Sequence, residues 1–296
     1  MTRIALTADL HWGIRTSGDD ATRSLVAYLQ SAPPDVLILA GDVGSGEHFA
    51  ECLSLFDDLT CLKALVPGNH DIWVEADDTR GDSLVVYERY LPAHCAEQGF
   101  HYLDHAPLAL PGCELALCGS INWYDYSWSL TALQASSPDW QDRLRTKRFT
   151  RGRHNDGRFV RWPCSDQSFT ERVVGKLANH LDSVFQTVSR SIVVTHHPPL
   201  YGLSFPRIAP PVTLDGLLWD AFSGNRAMED LLTRHQDRIP FVFCGHTHRE
   251  REATVRSLRG FNIGGDYHFK RLLTLTWPEG VVETLVFGDP GAIGAA

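Results

Sequence analysis

Residues 35–40 read Asp-Val-Leu-Ile-Leu-Ala, a run with no polar face after its first residue, and Gly41 and Asp42 follow at once. A strand that is apolar on both sides must be covered on both sides, which is the position of a central strand in a layered α/β sheet. Four other stretches finish in the same manner. Residues 3–8 fill with apolar side chains and give out into Asp9-Leu10-His11, and residues 61–66, interrupted only by Lys63, into Pro67-Gly68-Asn69-His70-Asp71. Residues 191–195 run into His196-His197-Pro198-Pro199, and residues 239–244 into Gly245-His246-Thr247-His248. Helical spacing over 19–30 and about 47–58 separates the first three strands. This β-α-β-α-β series predicts parallel pairing with right-handed crossovers. In such a sheet ligands gather at the carboxyl ends of the strands. One Asn-His-Asp turn is most often only a turn; five polar strand ends in one chain describe a site.

The remaining pattern fills out the same architecture. Helices are predicted over 83–98, 166–188 and 227–235, with shorter strands near Tyr102, Ala109 and 114–118. Two apolar strands, 272–277 and 281–287, are joined by Pro278-Glu279-Gly280 as a hairpin. The Pro-rich stretch 201–216 reads as a loop over the site, and the tail from Asp289 as frayed. The 296 residues show no internal repeat and no linker, so one domain over 1–296 is expected, with an insertion at about 120–165. The chain opens directly into a strand, leaving no room for a signal peptide, and no apolar run approaches the ~18 residues that span a bilayer. Seven cysteines without a Cys-x-x-Cys pair, Cys118 and Cys244 among them in apolar strands, predict free thiols, no zinc finger and a reducing, cytoplasmic location. A formal charge of −9 argues against nucleic-acid binding by the surface as a whole, though not by a local patch.

Collected by strand end, the polar set is Asp9 and His11, Asp42, Asn69 with His70, His196, and His246 with His248. In an extended chain positions i and i+2 point the same way, so Asp9 with His11, and His246 with His248, are each expected to reach one pocket together. Mixed carboxylate and imidazole donors suit Mn²⁺, Fe or Zn²⁺ better than Mg²⁺ or Ca²⁺. Seven donors are too many for one ion that keeps an open position, and about right for two divalent ions sharing a carboxylate. His70 reads as an acid or base, and Asp71 as the group that orients it.

The ordered set Asp-x-His, Gly-Asp, Gly-Asn-His-Asp, His-x-Pro and Gly-His-x-His, over residues 9–248, resembles the calcineurin-like metallophosphoesterases. The resemblance implies a four-layer α/β/β/α sandwich with two mixed sheets. It implies that Asp9, His11 and His248 hold one ion, that Asn69, His196 and His246 hold the other, and that Asp42 bridges. Mn²⁺ is the favoured metal. Two such ions hold a bridging hydroxide and clamp a phosphoryl oxygen, leaving His70 to protonate the leaving group with Asp71 favouring its charged form. The serine/threonine phosphatase branch has Glu where this chain has Asp71, and a phosphate-binding Arg where it has Pro67. The phosphodiesterase and nuclease side is therefore the better match. Hydrolysis of a phosphodiester of nucleotide or nucleic-acid type is the expected function. The alternatives are a phosphomonoesterase for a small metabolite and, in another class, a non-catalytic scaffold, which would require ligands that this chain has not lost. No obligate protein partner is implied.

Residues 143–161 carry eight basic side chains (Arg143, Arg145, Lys147, Arg148, Arg151, Arg153, Arg158, Arg161) against the single acid Asp156. Trp123, Tyr124, Tyr126, Trp128, Phe149, Phe159 and Trp162 surround them. Arginines attract phosphates and aromatic faces stack on bases. Arg148, Arg151 and Arg153, with His197 beside the metal ligands, are thus candidate contacts to single-stranded nucleic acid or a nucleotide. The bland alternative is a lid whose arginines pair with the acidic body and whose rings pack the core. The element Trp123-Tyr124-Asp125-Tyr126-Ser127 resembles one in a bacterial metallophosphoesterase subgroup, which favours a lid.

Overall fold

The protein is described here from a computed structural model covering residues 1–205 and 212–291. Residues 206–211 of the loop expected over the site, and 292–296 of the tail expected to fray, lie outside the described residues. The strands are β1 (Thr2–Thr7), β2 (Val36–Ala40), β3 (Leu62–Val66), β4 (Phe100–Tyr102), β5 (Leu108–Ala109), β6 (Leu115–Ser120), β7 (Arg190–Thr195), β8 (Phe241–Cys244), β9 (Arg251–Val255), β10 (Leu258–Asn262), β11 (Phe269–Trp277) and β12 (Val281–Gly288). They form two six-stranded sheets, ordered β12-β11-β1-β2-β3-β4 and β5-β6-β7-β8-β10-β9. In the first, β1 to β4 run parallel and the β11–β12 hairpin is antiparallel. In the second, β6, β7, β8 and β10 run parallel, with antiparallel β5 and β9 at the edges.

Strand periodicity explains why the sheets stack. Ile4 and Leu6, Val36, Ile38 and Ala40, Ala64 and Val66 turn one way, and meet Leu115, Leu117, Ile192, Val194, Phe241 and Phe243 of the other sheet in one buried layer. The intervening residues face outward. Ala5, Leu37, Leu39 and Leu65 pack under helices Thr16–Ser31 and His48–Ser54, while Ala116, Cys118, Val193, Val242 and Cys244 pack under Asp166–Val184 and Arg226–Arg234. The result is the α/β/β/α sandwich. Runs apolar at every position are needed because each strand feeds two cores.

Two departures have clear causes. Strands β9 and β10 were not evident in the sequence, because Arg251–Val255 is mostly polar and only half-buried at the sheet edge. The segment 201–216 is not loop throughout, since Leu214–Ala221 is a helix whose Thr213 Oγ1 caps Gly216 N at 3.0 Å. Between β6 and Asp166–Val184 lie three short helices, Leu130–Ser136, Trp140–Thr146 and Asp156–Phe159. The rings of Trp123 and Tyr124 in this region are fully buried and belong to the helix-side core.

Candidate metal centre

The parallel strands end at one rim of the sandwich, where the backbone leaves extended geometry. Past the end of β1 the chain stays zipped to the chain leaving β2: Asp9 N donates to Gly41 O (3.0 Å), His11 N to Asp42 O (2.9 Å) and Trp12 N to Val43 O (2.9 Å). Asp9 (φ 56°), His11 (45°), Asp42 (53°), His246 (73°) and His248 (55°) all sit in the left-handed region. For residues with a Cβ this costs about 1–2 kcal/mol each, and such conformations collect at functional sites. The i, i+2 pairs do converge on the site, but by curled, left-handed backbone and not by the extended alternation expected from the sequence. Glycines make room for this. A Cβ on Gly41 (φ +86°) would stand 2.5 Å from His196 Nδ1, and one on Gly68 2.2 Å from Asp42 Oδ1.

Two groups of donors result. Asp9, His11, Asp42 and His248 each offer an atom within 4.8 Å of the others. His11 Nε2 lies 2.9 Å from His248 Nε2 and 3.6 Å from Asp42 Oδ2, and His248 Nε2 lies 3.8 Å from Asp9 Oδ1. The second group surrounds Asn69, whose Oδ1 is 3.0 Å from His196 Nε2 and 3.2 Å from His246 Nδ1. Asp42 touches both, with Oδ1 3.3 Å from His196 Nε2. His246 and His248 line the same cavity and lie in different groups.

The donor chemistry fits cations. Asp9 Oδ2 and His246 Nε2 are buried without a hydrogen-bond partner among the described residues. Two ring nitrogens facing each other at 2.9 Å share at most one proton between them. Burial, helped by His70, holds His11 well below the ordinary histidine range. Burial, helped by His197, does the same for His246. Both therefore present lone pairs. His196 differs: burial opposes its charge, but Asp42 outweighs burial and draws it up to about 9. Burial likewise raises Asp9.

The expected catalytic and substrate-binding residues fare unevenly. His70 lines the cavity over the cluster, stacked on Trp73 (centroids 3.5 Å, 28°), with Nε2 3.9 Å from Asp42 Oδ2. Burial lowers it to about 4 although Asp42 pulls the other way. Asp71 does not orient it. The Asp71 carboxylate instead accepts from Gly68 N (2.7 Å), Val43 N (2.8 Å) and Gly44 N (3.0 Å), stitching the loops after β2 and β3 together. That corrects the expected acid–aspartate pair: Asp71 points under the loop, away from the imidazole. Arg151 and Arg153 line the cavity. Arg148 does not, because its guanidinium turns to Asp142 (3.3 Å) and Asp139 (3.5 Å). His197 is wholly buried beside His246 (centroids 4.0 Å); its Nε2 has no hydrogen-bond partner among the described residues, and with His196 and His246 it offers a donor atom within 4.8 Å of the others.

Three further residues shape the site without having been singled out from sequence. The buried Asp156 carboxylate accepts from Asn69 Nδ2 (2.9 Å), Trp73 Nε1 (2.9 Å) and Tyr124 OH (2.9 Å). It thereby fixes which way the Asn69 amide faces. Its signal was present: it is the lone acid in a basic stretch. Lys270 is fully buried, and its Nζ donates to Asp9 O (2.9 Å) and Asp266 O (2.6 Å). It stands in phase with Leu272 on a buried strand face, a place where a lysine is anomalous. The Tyr267 ring lies against His11 (centroids 4.4 Å) and closes one side of the cavity. The neighbouring His268 turns away to Ser17 Oγ at 3.0 Å.

The cavity over the cluster has a volume of about 420 Å³, with Trp73, Phe149 and Trp219 among its walls. A larger one of about 620 Å³ lies between Trp140 and Trp162 and shares no lining residue with it.

Fold and site together define a metal-dependent phosphoester hydrolase. Residues 2–250 match the family model of calcineurin-like phosphoesterases, and the chain belongs to that family. Among solved structures it is similar to the phosphopantetheinyl hydrolase of Mycobacterium tuberculosis (20% identity, 98% of each chain covered, TM-score 0.69). It is also similar to a dimetal phosphatase from Danio rerio (16% identity, 97% of this chain and 98% of that one, TM-score 0.55). No curated protein matches it by sequence. No helix among the described residues is long and apolar enough to cross a membrane.

Proposed function

We propose that the protein hydrolyses a phosphodiester of nucleotide type with two divalent ions, Mn²⁺ preferred over Fe or Zn²⁺. The observation that carries this reading is the placing of Asp42, whose two oxygens lie 3.6 Å from His11 Nε2 and 3.3 Å from His196 Nε2. A carboxylate shared between two imidazole groups is what a two-ion site needs at its centre. Asp9, His11 and His248 would complete one position, and Asn69, His196 and His246 the other. When bound, such an ion pair activates water and polarises the phosphoryl oxygens.

The chain's own groups do the rest. Asp156 turns the Asn69 oxygen inward. Trp73, Phe149 and Trp219 flank a cavity with room for substituents on both sides of a phosphate. His70 donates a proton to the leaving oxygen. Neutral in the resting site, it gains that proton as the substrate's anion arrives, since a nearby negative charge favours the charged imidazole. Asp71 contributes only the loop geometry.

The test is hydrolysis of bis-p-nitrophenyl phosphate against p-nitrophenyl phosphate with added Mn²⁺. Faster turnover of the monoester would reverse the preference. His70→Asn should cost about 10²–10⁴-fold on an alkyl or nucleoside leaving group and far less on nitrophenol; equal losses would remove the proton-donor role. A second reading takes its substrate from the M. tuberculosis structure, a phosphopantetheinyl hydrolase of the same fold over 98% of both chains. Hydrolytic release of a phosphopantetheinyl group, with no activity on thymidine esters, would favour that reading.

A further inference from the structure

Half of the basic segment is neutralised where it stands. Arg143 pairs with Asp139 (2.8 Å), Arg145 with Asp142 (2.5 Å), Arg148 with both acids, and Lys147 with the buried Asp166. Arg151 and Arg153 are the exceptions among the described residues that line the metal cavity: neither has a carboxylate partner. Arg153 donates only its Nε, to Thr146 O at 2.7 Å.

The backbone that carries these two exposed side chains is held in place. Arg148 and Arg153 form a β-bridge, and Phe149 N donates to Gly152 O (3.2 Å), closing a tight hairpin. Its tip is tied down where Thr150 N and Oγ1 both donate to Asp215 (2.7 and 2.6 Å). A rigid tip presenting two uncompensated guanidinium groups over an aromatic cavity is built to meet an anion. The scissile phosphate does not satisfy it, because a diester carries one charge and the cluster beneath already serves that charge.

We propose that Arg151 and Arg153 form a subsite for a second phosphate, so that the substrate is a phosphodiester bearing a phosphate monoester on one of its arms. This rests on the phosphodiester reading above. The two guanidinium charges match the −1.5 to −2 of such a group near neutral pH.

Two measurements test it. In EDTA, quenching of tryptophan fluorescence reports binding of thymidine 3′-monophosphate and thymidine, since Trp73 and Trp219 line the cavity. The monophosphate should bind at least about tenfold more tightly, a difference of one decade in Kd. Arg151→Ser/Arg153→Ser should erase that difference, and Arg151→Ser alone, which leaves the Thr146 contact intact, should reduce it. With Mn²⁺, thymidine 3′-phosphate 5′-(p-nitrophenyl phosphate) should exceed the ester lacking the 3′-phosphate by a similar factor in kcat/KM, carried by KM. Equal affinities in the wild type, or a ratio unchanged in the double variant, overturns the subsite. Bis-p-nitrophenyl phosphate separates the two claims. If it is hydrolysed while the thymidine esters are taken equally or not at all, the subsite alone is wrong; if it is inert, the phosphodiester reading fails.

Discussion

The two donor groups use the same chemistry but are held by different means. Around Asp9, His11 and His248 the side chains are aimed by backbone: all three have positive φ, and the Asp9 carbonyl is anchored by Lys270 beneath it. In the other group His246 shares that backbone (φ 73°), but Asn69 and His196 do not, and these two are aimed by hydrogen bonds to a side chain and a carbonyl. Asp156 holds the Asn69 amide, and the Ala40 carbonyl lies 3.0 Å from His196 Nδ1, fixing that ring. The first half is therefore intrinsic to the strand ends. The second depends on residues 121–165, which supply Asp156 and, through Tyr124, the donor that holds it. The strand-end frame can keep the first donor group constant while residues 121–165 tune the second.

The largest effect should come from the one residue both halves share. Asp42→Asn leaves the volume unchanged but removes the bridging charge, and should lower kcat by more than about 100-fold, beyond the range for outer partners of a metal site. Metal analysis should show both ions weakened. Retention of one tight ion would break the symmetry assumed for Asp42. Asp156→Ala sharpens the contrast. It should weaken a single Mn²⁺ position by about 10–100-fold, leaving the other unaltered, so that a titration followed by electron paramagnetic resonance separates into two steps. Excess Mn²⁺ should then recover much of kcat. Equal weakening of both positions would show that the insertion supports the whole site.

The same division decides what was legible in the sequence. The apolar runs and their polar ends gave a layered α/β sheet and the seven expected ligands, because strand-end residues are contiguous in the chain and their types advertise their chemistry; the sandwich came from the resemblance. Arg251–Val255 was hidden because an edge strand serves solvent on one side and loses the apolar signature. Asp71 misled for a different reason. Its place next to His70 suggested a pair, but adjacent side chains leave the turn in different directions, and its carboxylate found three backbone N–H groups instead. Asp156 and Lys270 act across separations of 87 and 261 residues. Such contacts are set by how the layers stack, and no local pattern encodes them. What the chain did carry was a mismatch at each: an acid among bases, and a lysine in phase with Leu272.

Lys270 offers the smallest and most selective test of the backbone-held half. Lys270→Met keeps the apolar stem and removes the donor to the Asp9 and Asp266 carbonyls, at about 1–3 kcal/mol for each group left unsatisfied. Catalysis should fall by less than about tenfold, the scale at which Mn²⁺ in excess compensates. The pH dependence identifies the cause. Burial, only partly offset by Asp9, lowers the Lys270 ammonium from 10.5 to about 8. Between those values the unfolded chain binds a proton that the folded one has released, so wild-type stability from this residue rises with pH across that window. The stability gap between wild type and variant should therefore widen from pH 8 towards 10.5 in thermal unfolding. Groups common to both proteins cancel in that difference. A constant gap would mean that Lys270 keeps its proton in the fold to the same pH as in the unfolded chain, so that burial does not lower it.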